Sequence, residues 1–277
     1  MPVQEPSFVM LGGRRIAYGE VCPPHPKGTL LLLTGAGSKR LTWYKQLEPF
    51  GRIFRTIALD FRDVGDSDLV SEPYTLDDLA DEAVDVLVAL GVPRAHVLGL
   101  SMGGAVALHL ALRHPERVEK LVVIAPPLGG KAQVPISPEM MALLGQPDLQ
   151  LEIGERMRRT YAKIAAPGYF ERHPEDGERL AEFARYRPQS QEAYRRQLQA
   201  TMTHDVDGQL ERIHAPTLIV QGELDPLVAP ANTQYLAQHI PGARLLLYPN
   251  TGHLVHIERA EELNRDVLAF LESEEEA

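Results

Sequence analysis

The chain has 277 residues, 44% of them apolar and 24% charged, enough for a large globular domain with a substantial core. Its formal net charge of −10 argues against nucleic acid or an anionic membrane surface as a partner. A single cysteine, Cys22, excludes an intramolecular disulfide and a cysteine-based zinc cluster, and no apolar run approaches the roughly 20 residues of a membrane-spanning helix.

The first ten residues hold no basic segment followed by an apolar one, so no secretory leader and a cytoplasmic location are expected. Residues 8–11 and 15–21 read as short strands joined at Gly12-Gly13, a hairpin signal. A turn rich in proline (Pro23, Pro24, Pro26) follows, beside which Cys22 is expected to be a small apolar filler. The run Thr29-Leu30-Leu31-Leu32-Leu33 suits a strand buried on both faces.

The pattern then alternates. A helix is predicted over 42–50, a strand over 54–61, and a helix over 75–90 with Leu76, Leu79, Ala83, Leu87 and Leu90 on one stripe. Thr75 with Asp78 makes an N-terminal cap for it, and Gly91 a C-terminal stop. A buried strand at 95–100 leads directly into a helix of small residues at 102–113, and a strand follows at 118–125. Strand-like runs return at 217–220 and 244–248, with an amphipathic helix at 260–271.

Strands alternating with helices imply βαβ units and an α/β class with a mostly parallel sheet. Residues 127–207 differ: they have few β-branched residues, several helical segments and nine arginines. They read as a helical insertion into a core made of residues 1–126 and 208–277. The terminal acids Glu272, Glu274, Glu275 and Glu276 read as a solvated, frayed tail.

Gly99-Leu100-Ser101-Met102-Gly103 stands directly after a strand and directly before a helix. A nucleophile displayed at a sheet edge needs a sharp strand-to-helix turn, which leaves no room for side chains two residues either side of the serine. Gly99 and Gly103 meet that need, and Gly104, Ala105 and Ala107 let the helix approach the sheet. A serine hydroxyl also needs a base, and the base an orienting acid.

In such a fold the chain order is Ser, acid, His. Asp225, in Gly222-Glu223-Leu224-Asp225-Pro226 just past a strand, is the acid, with Glu223 as its competitor. His253, in Asn250-Thr251-Gly252-His253 after the last strand, is the base. His256 reads as packed against the last helix, although its spacing from His253 alone would also suit a metal pair; His109 and His114 read as structural.

Tetrahedral oxyanions need backbone N–H donors, each worth roughly 3 kcal/mol. Met102, after the nucleophile, supplies one, and Ala36 in Thr34-Gly35-Ala36-Gly37 the other. A dinucleotide fingerprint fails there because Arg40 stands where the third glycine belongs.

Together these residues resemble the α/β-hydrolase superfamily over nearly the whole chain. Asp60-Phe61-Arg62-Asp63-Val64-Gly65-Asp66-Ser67 resembles that family's loop after the fourth strand, commonly D-x-R-G-x-G-x-S. Asp63 in place of its glycine is similar to aclacinomycin methylesterase-type members. Gly252-His253 with Ile257-Glu258 is similar to 3-oxoadipate enol-lactonases and related esterases. The resemblance implies an eight-stranded sheet, a helical cap inserted after strand six, and Ser101, Asp225 and His253 as a catalytic triad. Thr34-Gly35 replaces the His-Gly of many members, a change that leaves the backbone donor intact.

The chemistry implied is acyl transfer to water on a small-molecule ester or lactone, requiring no metal and no organic cofactor. The same triad would also serve C–C bond or thioester hydrolysis or perhydrolysis, and a small-molecule receptor without turnover is the third reading. Tyr161, Tyr169, Phe170, Phe183, Tyr186 and Tyr194 are candidates to line an apolar pocket. Arg158, Arg185 and Arg195 are candidates to receive a substrate carboxylate, against the plainer reading of a solvated helix face.

Overall fold

The expected hairpin forms: β1 (Ser7–Leu11) pairs antiparallel with β2 (Arg14–Val21) in the computed structural model, which describes residues 5–146 and 148–273. Gly12 and Gly13 make its turn with φ of 55° and 86°, values an L side chain resists. The chain continues through β3 (Thr29–Leu33), a 3-10 turn (Arg40–Trp43), α1 (Leu47–Gly51) and β4 (Arg55–Leu59). Next come α2 (Leu76–Ala89), β5 (Ala95–Leu100), α3 (Met102–Arg113) and β6 (Val118–Ile124).

Helices α4 (Pro138–Gly145), α5 (Ile153–Ile164), α6 (Tyr169–Arg172), α7 (Pro174–Arg185) and α8 (Gln191–Thr203) occupy the stretch before β7 (Thr217–Gly222). The chain closes with α9 (Pro230–His239), β8 (Arg244–Tyr248), α10 (Val255–Glu258) and α11 (Ala260–Glu272).

The eight strands form one sheet in the order β1-β2-β4-β3-β5-β6-β7-β8. Pairings from β4 through β8 are parallel, and β2 joins β4 antiparallel. The apolar runs make sense because both faces are covered. Leu31 and Leu33 pack with α2 and α3 on one side, while Leu30 and Leu32 pack with Phe50, Leu263 and Val267 on the other. A third cluster, including Leu41, Ile164, Phe183, Leu227 and Leu254, joins the α4–α8 stretch to the loops at one end of the sheet.

Helix α2 carries the full capping box, with Asp78 N–H donating to Thr75 Oγ1 at 3.2 Å and Thr75 N–H to Asp78 Oδ2 at 2.8 Å. Three expectations are corrected. The helix predicted over 42–50 is split, because Pro49 has no N–H to bond residue 45 and its ring crowds that carbonyl. Cys22 is exposed rather than a filler. Glu272 belongs to α11 and pairs with Lys27; Glu274, Glu275 and Glu276 lie outside the described residues.

Candidate active site

Ser101 stands between β5 and α3 with φ 53° and ψ −120°, a conformation that costs a non-glycine residue about 1–3 kcal/mol. The surrounding backbone holds it there: Ser101 N–H donates to Ile124 O at 2.8 Å. A Cβ on Gly99 would lie 2.1 Å from Gly103 O, and one on Gly103 would lie 2.2 Å from Leu33 O. The turn therefore requires both glycines for space, as the motif implies.

Asp225 lies in the loop after β7, its side chain wholly buried. Its Oδ1 accepts from the N–H groups of Leu227 (2.8 Å) and Val228 (2.9 Å), and its Oδ2 from Gln221 Nε2 (3.0 Å). The same Oδ2 lies 2.7 Å from His253 Nδ1. Glu223 takes no part; its N–H donates to Tyr248 O within the turn.

The loop of His253 is fixed by the Glu258 carboxylate, which the sequence marks only by family resemblance. Glu258 accepts from Gly252 N–H (3.0 Å), Leu254 N–H (3.1 Å) and Ala166 N–H (2.9 Å). Burial pushes its carboxyl above the usual range, and these three N–H groups oppose that. An acid set among Leu254, Val255 and Ile257 was the available signal.

Met102 is the first residue of α3, so its N–H has no acceptor within the helix. Ala36 lies in a turn closed by Ser38 N–H to Gly35 O at 3.1 Å, and Thr34 Oγ1 donates to Ser38 O at 3.1 Å. Gln197 of α8, fully buried, accepts from Gly37 N–H at 2.9 Å. Ser101, Met102, Ala36 and His253 all line one cavity of about 560 Å³, with Asp225 behind His253.

The flanking residues divide. Tyr161, Phe183 and Tyr194 line the cavity, and burial pushes the hydroxyls of Tyr161 and Tyr194 up to about 12. Tyr169 instead donates to Asp176 (2.6 Å), Tyr186 donates to Asp66 (2.9 Å), and Phe170 packs on Tyr169.

The three candidate arginines are engaged elsewhere. Arg158 pairs with Glu155 and Glu178, Arg185 with Glu152, and Arg195 reaches Gln191. Their neighbour Arg156 lines the cavity.

His256 packs edge-on against Trp43, ring centroids 5.2 Å apart. Burial, then the charges of His253 and Lys45, push its imidazole down to about 3, so it is neutral near pH 7. His109 and His114 are bound to Asp77 (2.6 Å) and Asp81 (2.7 Å), away from the cavity.

Asp63 has φ 70°, the left-handed region that explains why glycine is common there in the resembled loop. Its carboxylate compensates by accepting from Val70 N–H (2.9 Å) and Arg196 Nε (2.9 Å).

A family model described as the alpha/beta hydrolase fold matches residues 28–260. The chain belongs to the α/β hydrolase family. This hydrolase is 30% identical over 258 residues to a protein of Caulobacter sp. strain K31 named for carbamate hydrolysis, covering 91% of this chain and 93% of that one. It is 31% identical over 245 residues to a poly(3-hydroxyalkanoate) depolymerase of Ectopseudomonas oleovorans, covering 88% and 84% of the two chains. The crystal structure of the enol-lactonase from Burkholderia xenovorans LB400 superposes with a TM-score of 0.84 at 25% identity, covering 96% of this chain and 100% of the other. Among the described residues no helix is long and apolar enough to cross a membrane.

Proposed function

We propose that this hydrolase cleaves a carboxylic ester or lactone bond of a small-molecule substrate through an acyl-enzyme on Ser101. The observation that carries the reading is the 2.7 Å contact of His253 Nδ1 with buried Asp225 Oδ2, on a histidine that shares one cavity with strained Ser101. That contact assigns the proton to Nδ1 and leaves Nε2 free to act as base. The hydrolase relatives favour chemistry at a carbonyl-type centre.

In this reading His253 Nε2 takes the Ser101 proton as Oγ forms a bond to the carbonyl carbon. The oxyanion is held by the N–H groups of Met102 and Ala36, helped by the positive end of α3. Asp225 stabilises the imidazolium. Collapse breaks the bond to the leaving oxygen, which receives the proton from His253. Water then attacks the acyl carbon with His253 as base again, releasing the acid and restoring Ser101.

Residues 127–207 serve as a cap over a core of residues 1–126 and 208–277, and the cap supplies most of the cavity's apolar wall. A cytoplasmic location belongs to the same reading, and cell fractionation tests it.

The test is turnover of a panel of p-nitrophenyl esters and aliphatic lactones, with products identified. Wild type is expected to hydrolyse members of the panel, and Ser101→Ala to lose about 10⁴-fold or more in kcat. Retained turnover in that variant would remove Ser101 from its role.

A further inference from the structure

The wall of the cavity beside Ser101 carries two cations, Lys39 and Arg156, and no aspartate or glutamate among the described residues. Composition points the other way: the chain has 38 acidic side chains against 28 lysines and arginines. A wall sampled at random from this protein would be net negative. A low-dielectric cavity lined by one sign of charge concentrates the opposite sign.

Among the described residues, neither cation has a carboxylate oxygen within 4.0 Å of its charged nitrogens. The contrast with other arginines of the α4–α8 stretch is direct, since Arg158, Arg185 and Arg196 all hold carboxylates.

Lys39 is the more telling of the two. It is 5% exposed and follows the turn that presents Ala36. The acids acting on it from outside the cavity wall, Asp60 and Asp66, are engaged by other cations, Arg40 on both and Arg187 on Asp66. Asp60 also accepts from the N–H groups of Arg40 (2.7 Å) and Asp66 (3.1 Å), and Asp66 from Tyr186 Oη (2.9 Å). Burial holds the Lys39 ammonium below its usual range, with Asp60 and Asp66 opposing that only in part. A buried ammonium in this setting either meets an anion or gives up its proton.

We propose that the cavity takes ester or lactone substrates bearing a carboxylate, received by Lys39 with Arg156 adding to the positive potential. The inference rests on the Ser101 reading above. The rest of the wall, including Met141, Leu144, Met157, Leu198 and Met202, suits the hydrocarbon between the carboxylate and the reacting bond. A phosphate, more strongly hydrated, would need more donors than this apolar wall supplies.

The experiment compares kcat/KM for the mono-p-nitrophenyl ester of octanedioic acid with that for p-nitrophenyl octanoate, esters of equal chain length differing in a terminal carboxylate. The ratio of acidic to neutral ester is expected to fall about tenfold in Lys39→Met and by a smaller factor in Arg156→Met. Taking the ratio cancels any general loss from the substitution. A second measurement reads binding alone: octanoate is expected to inhibit wild type about tenfold more strongly than it inhibits Lys39→Met, while 1-octanol inhibits both alike.

Ratios unmoved in both variants, or octanoate inhibiting wild type and Lys39→Met alike, would overturn the carboxylate subsite while leaving the Ser101 reading intact. If wild type hydrolyses neither these esters nor any member of the wider ester and lactone panel, the Ser101 reading fails. Calorimetric titration of wild type and Lys39→Met with octanoate then decides the subsite alone, weaker binding by the variant supporting it and equal binding overturning it.

Discussion

The main-chain N–H of His253 donates to the carbonyl of Ile164 at 2.7 Å. Ile164 ends α5, so a helix-terminal carbonyl with no intrahelical partner is satisfied by the proposed base's own backbone. Two residues on, Ala166 N–H is held by Glu258, which also holds Gly252 and Leu254. The imidazole and the end of α5 are thus parts of one hydrogen-bonded unit.

Glu258→Gln tests that unit. The amide presents an NH₂ group to backbone donors that now meet carboxylate oxygen, so at least one bond is replaced by a repulsion. We expect kcat to fall about tenfold and stability by about 2 kcal/mol. Steady-state kinetics and urea unfolding measure the two, and an unchanged kcat would separate Glu258 from the placement of His253.

Ser101→Gly is expected to abolish hydrolysis and to stabilise the fold by about 1 kcal/mol, because glycine adopts φ 53°, ψ −120° without strain. Ser101→Ala removes the hydroxyl but keeps the Cβ, so it should lack that gain. Thermal unfolding of the two variants side by side measures the difference. Equal melting temperatures would mean that the turn stores no strain.

Gly99→Ala places a Cβ 2.1 Å from Gly103 O in α3, and Gly103→Ala one 2.2 Å from Leu33 O at the end of β3. Neither neighbour is a flexible side-chain end, so relief requires movement of β5, α3 or β3. Each substitution is expected to destabilise by more than about 3 kcal/mol or to prevent folding. Soluble yield and urea midpoint are the readouts.

Acid should destabilise the protein through buried neutral histidines. Burial, then the charge of His109, push His204 down to about 3, and burial pushes His256 down to about 3 as well. Between that value and the ordinary one near 6.5 the unfolded chain binds more protons than the folded chain. Stability is therefore present above about pH 6.5 and lost as pH falls through the window. His204→Gln should remove about 2–3 kcal/mol of the difference in unfolding free energy between pH 7.5 and pH 4.5. A variant as acid-sensitive as wild type would contradict the assignment.

Elements whose burial is one-dimensional were legible in the sequence. Strand β5 and helix α3 have the bounds expected, because a run buried on both faces and a small-residue helix need no knowledge of the rest of the fold. Helix α9 went unread: its buried residues are Asn232, Thr233 and Leu236, two of them polar, so no apolar stripe marks it. The arginines show the same limit. Arg156 and Arg158 look alike on the sequence of α5, but Glu178 on α7 claims Arg158 while Arg156 lines the cavity, a distinction made by packing alone. Ser101, Asp225 and His253 stand out as candidates in the sequence because each follows a strand in a turn of distinctive composition. Gln197 and Lys39 follow no such pattern.

Activation of Ser101 is measured by intact-mass spectrometry after treatment with a fluorophosphonate, with Ser101→Ala alongside. The expected result is one adduct on wild type and none on the variant. An unlabelled wild type, or an adduct that survives Ser101→Ala, would contradict it.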